Sequence, residues 1–135
     1  MTEDIKERLK RMAVALDAKH SVTDEAAKQF YSDWQRIEDE IVKPVFAEFE
    51  ESFSELRSRA IMEAKETDPG WTLEINSEAG IEEFSCSPDY KKREVRLRRS
   101  RKGRNSDSYL RADQVTRAKL ADEVESFIRQ FAGLG

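Results

Sequence analysis

Residues 67–76 have the sequence TDPGWTLEIN, and the hydrophobic period of the chain changes at this point. Asp68-Pro69-Gly70 is typical of a turn, because proline presets one backbone dihedral and glycine tolerates a positive φ. After the turn, Trp71, Leu73 and Ile75 alternate with polar residues, which is the period of a half-buried strand. The residues before the turn follow a helical period instead. This switch predicts an α+β domain.

The chain upstream of the switch, residues 1–66, is predicted to form an antiparallel helical hairpin. Residues 20–24, HSVTD, interrupt the pattern and separate a first helix from a second one that runs from Asp24 to about Lys65. The apolar row of the first helix consists of Ile5, Leu9, Met12 and Leu16. Pro44 lies inside the second helix and removes the backbone donor to the carbonyl of Glu40. Poor N-cap residues before Pro44 favour one kinked, continuous helix over two separate helices.

Downstream of the switch, residues 71–111 are predicted to form three or four antiparallel strands, and residues 113–132 a C-terminal helix. Within one strand Val95 and Leu97 face inward while Arg96 and Arg98 face outward. Ile81 and Phe84 cannot share a face of a regular strand, so a β-bulge is expected at Glu82-Glu83. Asp113 is expected to cap the last helix, and Gly133 lies where a C-cap glycine belongs. Together, the predicted helices and strands are expected to form a single α+β domain over residues 1–135.

The length of the second helix predicts a homodimer. Forty-two residues of helix span about 63 Å, whereas a globule of 135 residues is only about 37 Å across. Its apolar row would then be covered by a second copy across a two-fold axis. The predicted dimer interface consists of Phe30, Trp34, Ile37, Ile41, Val45, Phe49, Phe53 and Leu56. In the alternative, Pro44 folds the helix back and these residues form the core of a monomer.

Positive charge is concentrated in residues 91–104, which contain nine basic residues and a single acid, Glu94. The net charge of the whole chain is -4. The candidate contacts for a polyanion or an acidic protein partner are Lys91, Lys92, Arg96, Arg98, Arg101, Lys102 and Arg104. One interpretation is binding of nucleic acid through released counterions. The alternatives are an acidic protein partner, or pairing with acids of the chain itself such as Glu74, Glu82 and Glu83.

The composition argues against several other classes of protein. One cysteine, Cys86, and one histidine, His20, are too few for a disulfide framework or a His/Cys metal site. No motif for a cofactor or for catalysis is present. No apolar run is long enough to span a bilayer, and Met1-Thr2-Glu3-Asp4 does not resemble a signal peptide. We therefore expect a cytoplasmic, non-enzymatic interaction module that self-associates, without cofactor, metal or membrane contact; the alternative is nucleic-acid binding through residues 91–104.

Overall fold

The computed structural model describes residues 4–21, 25–53 and 60–133. The helices are α1 (Ile5–Ser21), α2 (Glu25–Ile37), α3 (Lys43–Phe53) and α4 (Arg117–Phe131), with a π-helical segment (Glu38–Val42) between α2 and α3 and a 3-10 turn (Ala112–Gln114) before α4. The strands are β1 (Ile61–Glu66), β2 (Trp71–Ser77), β3 (Gly80–Asp89), β4 (Glu94–Arg101) and β5 (Arg104–Leu110). The predicted α+β class is confirmed.

The five strands form one antiparallel sheet in which each strand pairs with its neighbour in sequence. Two-residue turns set the register of two hairpins, because Ser77 pairs with Gly80 and Arg101 pairs with Arg104. In the second turn, Lys102 and Gly103 have φ angles of 50° and 77°. Positive φ at both central residues matches the right-handed twist of the flanking strands. The order leaves β1 and β5 at the two edges of the sheet.

The core lies between one face of the sheet and a layer formed by α2, α3 and α4. Buried apolar side chains alternate along the strands; on the inner face they are Met62, Leu73, Ile75, Phe84, Cys86, Val95 and Leu97. The ring of Phe84 lies 6.1 Å from that of Phe46 in α3 and 5.7 Å from that of Phe127 in α4. Polar side chains such as Thr72 and Arg98 occupy the opposite face. The molecule is therefore a two-layer structure.

The helical backbone is continuous from Glu25 to Phe53, as the sequence favoured, and a π-helical segment precedes Pro44. The N–H of Lys43 bonds to the carbonyl of Glu38, five residues back. Pro44 has no N–H for the carbonyl of Glu40, and Nε of Arg117 donates to that oxygen at 2.9 Å. A side chain from α4 therefore satisfies the acceptor that proline leaves without its helical donor.

The prediction that the second helix continues to about Lys65 is wrong. The described part of α3 ends at Phe53, and residues 61–66 form strand β1, so the sheet has five strands instead of three or four. Met-Glu-Ala-Lys-Glu, residues 62–66, are good helix formers. Strand β1 pairs with β2 from Ile61 opposite Asn76 to Glu66 opposite Trp71. This pairing overrides the local preference for a helix.

The premise of the predicted dimer interface is also wrong, because the sheet of the same chain covers the apolar row. Trp34 and Ile37 are 2 % and 0 % exposed in the single chain. Phe30, Ile41, Val45 and Phe53 are buried, Phe49 is half-buried against the core, and Leu56 lies outside the described residues. The apolar row is shorter than predicted, and the five-stranded sheet of the same chain covers it. A second copy is not needed for that purpose. Most of these residues are buried in the core and cannot form a free interface, so self-association requires a surface other than the complete row.

Two local predictions are corrected as well. The pairing of β2 with β3 is regular from Trp71 opposite Cys86 to Ser77 opposite Gly80, so there is no bulge at Glu82-Glu83. Ile81 instead points away from the core and is exposed. The N-cap of α4 is Thr116, whose side chain accepts a hydrogen bond from the backbone N–H of Lys119, and not Asp113, which lies in the 3-10 turn. Gly133 adopts the positive φ of a C-cap glycine, as predicted.

Gly70 provides a first test of the fold. Its φ is 101°, and an added Cβ would meet the carbonyl oxygen of Cys86 and lie 2.8 Å from Cα of Ser87. We expect Gly70→Ala to lower the free energy of unfolding by about 3 kcal/mol, through backbone strain and displacement of β3. Gly80→Ala is the matched control, because Gly80 also has a positive φ but open space around its Cα. It should lose only about 1 kcal/mol in urea unfolding. Equal losses for the two variants would contradict the packing argument.

The pairing of Arg117 with Glu40 provides a second test. Arg117→Met keeps the aliphatic part of the side chain but removes the donor, so we expect a loss of about 1 kcal/mol in chemical unfolding. In a Pro44→Ala background the new N–H can bond to the carbonyl of Glu40, and the same substitution should cost clearly less. The double-mutant cycle measures this coupling. Identical costs in the two backgrounds would show that Arg117 does not compensate for the proline.

Candidate functional site

The nine basic residues of the segment 91–104 are distributed over two faces and two ends of the sheet. Arg96 and Arg98 point to the outer face, as predicted, whereas Arg99 and Arg101 share the inner side with Leu97. Lys91 and Lys92 lie in the turn before β4, and Lys102 and Arg104 lie at its other end. The eight residues of β4 place these ends roughly 23 Å apart. The structure brings Arg101, Lys102 and Arg104 together, but separates them from Lys91 and Lys92.

Several of these cations pair with acids of the chain itself. On the outer face Arg98 donates through Nε and Nη2 to the two carboxylate oxygens of Asp107, at 2.7 and 2.9 Å. This bidentate pair raises the pKa of Arg98 and lowers the pKa of Asp107. Arg101 contacts Glu82 at 3.5 Å, which is one of the internal pairings expected from the sequence. Glu74, in contrast, accepts from Lys65 at 3.1 Å.

All three tyrosines of the chain lie near the turn between β3 and β4. The ring of Tyr90 stacks on that of Tyr31 at 6.1 Å and meets Phe30 edge on at 5.9 Å. Nζ of Lys92 lies 3.8 Å from the centre of the Tyr109 ring, within cation–π range. Tyr31 and Tyr90 are exposed. Tyr90 and Tyr109 are near the basic segment in sequence, whereas the proximity of Tyr31 depends on how α2 crosses the sheet.

Arg96 occupies the outer face between Ser87 and Tyr109. Its Nε is buried and has no hydrogen-bond partner in the described structure. A buried donor without a partner costs free energy, and this one lies next to the tyrosines and lysines of the β3–β4 turn. This end of the sheet is therefore one of the two basic surfaces of the domain.

The second basic surface is a groove of about 580 Å³ between the β4–β5 hairpin and α4. The sheet contributes three arginines and two serines, which are Arg99, Arg101, Arg104, Ser106 and Ser108. From α4, Gln130 and Glu123 accept hydrogen bonds from Arg99 at 2.9 and 3.3 Å, so Arg99 ties β4 to the helix. The sequence missed Arg99 and both serines as site residues. Alternation continued from Val95 and Leu97 would have placed Arg99 on this side.

An apolar groove of about 390 Å³ lies between α3 and α4. Its apolar lining consists of Pro44, Val45, Phe49, Ala118 and Ala121, and its polar rim consists of Glu48, Ser52 and Arg117. Elsewhere in the chain, every residue from Asp4 to Val14 of the α1 region is exposed. The domain therefore carries an uncovered apolar groove and an uncovered amphipathic helix.

Cys86, the single cysteine of the chain, is not available as a surface nucleophile. Cys86 is fully buried, and desolvation raises the pKa of its thiol to about 12. His20 lies in the last turn of α1, although the sequence pattern places it in the interruption between the two helices, and its side chain falls outside the described residues. Among residues 4–21, 25–53 and 60–133, no cluster of three or more His, Cys, Asp or Glu side chains is arranged to hold a metal ion. No described helix has the length and apolar character to cross a bilayer.

Comparison of the chain with protein-family models, with curated proteins and with solved structures returned no match. A functional conclusion therefore has to come from the chemistry of the two grooves, the β3–β4 turn and helix α1.

Proposed function

We propose that the chain is a non-enzymatic interaction module that forms a homodimer by exchanging helix α1. The observation that carries this proposal is the exposure of the α1 apolar row: Ile5, Leu9 and Met12 are 72 %, 57 % and 53 % exposed. An isolated helix of 17 residues is marginal in water, since most helices gain their stability from packing of an apolar face. Such an apolar row is stabilised only by packing against another apolar surface, and the domain carries an apolar groove that can provide one.

The groove between α3 and α4 has the size and lining to receive this row. Its floor is made of Val45, Phe49, Ala118 and Ala121, and three apolar side chains at helical spacing form the kind of ridge that a groove between helices accepts. Charge is complementary as well. Helix α1 contains five basic and two acidic residues, whereas residues 25–53 contain three basic and eight acidic residues.

The connection between α1 and α2 is too short for α1 to place its apolar row in the groove of the same chain. Only residues 22–24 connect α1 to α2, and Pro44 follows the start of α2 by 19 residues, about 29 Å of helix. Leu9 and Met12 lie 12 and 9 residues before the end of α1, about 18 and 14 Å away, so in an α1 folded back along α2 these two side chains would lie short of the groove. The exposed side of α2 carries mainly polar residues such as Gln29, Gln35 and Arg36, and its exposed aromatic side chain, Tyr31, stacks on Tyr90. A second copy satisfies both constraints, and two-fold symmetry makes the exchange reciprocal.

The buried state of Cys86 supports a binding role over nucleophilic catalysis. A thiol with a pKa near 12 carries almost no thiolate at neutral pH, and the thiolate is the reactive form.

The exchange predicts a dimer of two 15.7 kDa chains in light scattering. Leu9→Ser weakens the apolar row and Ala118→Arg fills the groove, so each variant should run as a monomer at concentrations where the wild type is dimeric. Val14→Ser is the matched control, because Val14 is exposed on the opposite side of α1 and should leave the dimer intact.

Mixing the two monomeric variants sharpens this test. The Ala118→Arg chain retains an intact α1 and the Leu9→Ser chain retains an intact groove, so the mixture should recover a heterodimer with one of the two contacts. A wild-type chain that remains monomeric at high concentration would refute the exchange. Dissociation by Val14→Ser to the same extent as by Leu9→Ser would also refute it.

A second candidate function is binding of single-stranded nucleic acid at the β3–β4 turn, favoured by the exposed tyrosines beside Lys91 and Lys92. Stacking platforms combined with lysines are typical of such surfaces. If this function is correct, affinity for a single-stranded oligonucleotide should fall steeply between about 50 and 200 mM salt. Lys91→Glu should abolish the binding, while Lys102→Glu at the far end of β4 serves as the control. Absence of binding at low salt would eliminate this candidate.

A further inference from the structure

Strand β5 is a free edge of the sheet. It pairs with β4 on one side, and residues 104–108 are exposed. An edge strand presents unpaired N–H and C=O groups at alternate residues, and an extended peptide can pair with them as an added strand. Because residues 104–108 are exposed, the helical layer leaves this part of the edge open.

The inner side of this edge is basic, and its charges are imperfectly balanced. Arg101 and Arg104 are direct cross-strand partners next to the turn that contains Lys102. Like charges placed opposite each other destabilise a hairpin. Arg101 has one acid, Glu82 at 3.5 Å, and Arg104 has no ion-pair partner within the described ranges. A carboxylate placed between the two guanidinium groups would relieve this repulsion.

The spacing of the groove matches that of an added strand. Arg104, Ser106 and Ser108 occupy alternate positions of β5 and face the groove, about 6.8 Å apart. Side chains on the same face of a peptide paired to β5 have the same spacing. A carboxylate opposite Arg104 can accept two parallel hydrogen bonds from a guanidinium, and the serine hydroxyls can donate to the next acidic residues.

We propose that the groove between β5 and α4 binds an extended acidic peptide, which joins the sheet as a sixth strand with carboxylates at alternate positions. A peptide is favoured over nucleic acid because only a polypeptide backbone pairs with a strand edge. The site uses neither α1 nor the α3–α4 groove, so it goes beyond the proposed self-association and is independent of it.

The test measures fluorescence anisotropy of a labelled synthetic peptide in which glutamate alternates with threonine, titrated with the full chain at about 50 mM salt. We expect saturable binding. A version with lysine in place of glutamate should not bind. A version with a central proline should bind at least tenfold more weakly, because proline lacks the N–H that strand pairing needs. Equal binding of the proline peptide, or tighter binding of a single-stranded oligonucleotide of similar length, would overturn the proposal.

Substitutions locate the site. Arg104→Gln and Arg101→Gln should each raise the Kd about tenfold, the effect expected from losing one charge-assisted contact. Lys91→Gln removes the same charge at the other end of β4 and should leave the Kd unchanged. Leu9→Ser should also leave it unchanged, which separates this site from the dimer contact. An equal effect of Lys91→Gln and Arg104→Gln would show only non-specific attraction and would overturn the proposal.

Thermal stability distinguishes a binding role of Arg104 from a structural one. Arg104→Gln removes one of two like charges that face each other across the hairpin. The Tm of the free protein should therefore stay unchanged or rise, while peptide binding is lost. A lower Tm of Arg104→Gln accompanied by lost binding would show that Arg104 holds the hairpin together and would overturn its assignment to the site.

Discussion

The contact between the helical row and the inner face of the sheet determines the rest of this structure. Trp34, Ile37 and Phe46 on the helical side meet Leu73, Ile75 and Phe84 on the strands, and each large apolar side chain buried there contributes about 1.5–3 kcal/mol. Because this contact uses most of the apolar face of α2 and α3, the surfaces left for partners are those at its margins. They are the α3–α4 groove on one side and the edge of β5 on the other.

Local periodicity was sufficient to predict much of the fold. The alternation in β2 and β4 and the helical spacing in α1 and α4 depend only on which side chains face the core, and a sequence displays that directly. Strand β1 was missed because residues 62–66 favour a helix, and only their pairing with β2, a non-local contact, makes them extended. The expectation that a second copy must cover the apolar row followed from that single error, which made the predicted helix too long and the predicted sheet one strand too narrow.

The candidate surfaces were predictable in part. Charge counting located the basic segment, and alternation placed Arg96 and Arg98 on the outer face correctly. The juxtaposition of Arg101 with Arg104 was not predictable, because it depends on a turn of two residues, Lys102 and Gly103, instead of a longer loop. The edge position of β5 depends on the order of strands in the sheet, which no local pattern encodes. Tertiary arrangement, and not composition, determined which cations share a surface.

The separation of charge between the two ends of the domain has a consequence of its own. The acidic helix α3 packs against β1 and β2, while the basic hairpin forms the opposite edge of the sheet. Such a molecule has a permanent electric dipole moment, which turns it as it diffuses toward any charged surface. Dissolved ions screen that torque beyond about 10 Å at 0.1 M ionic strength. The rate of productive encounters should thus depend on ionic strength far more than the integrity of the apolar interior does.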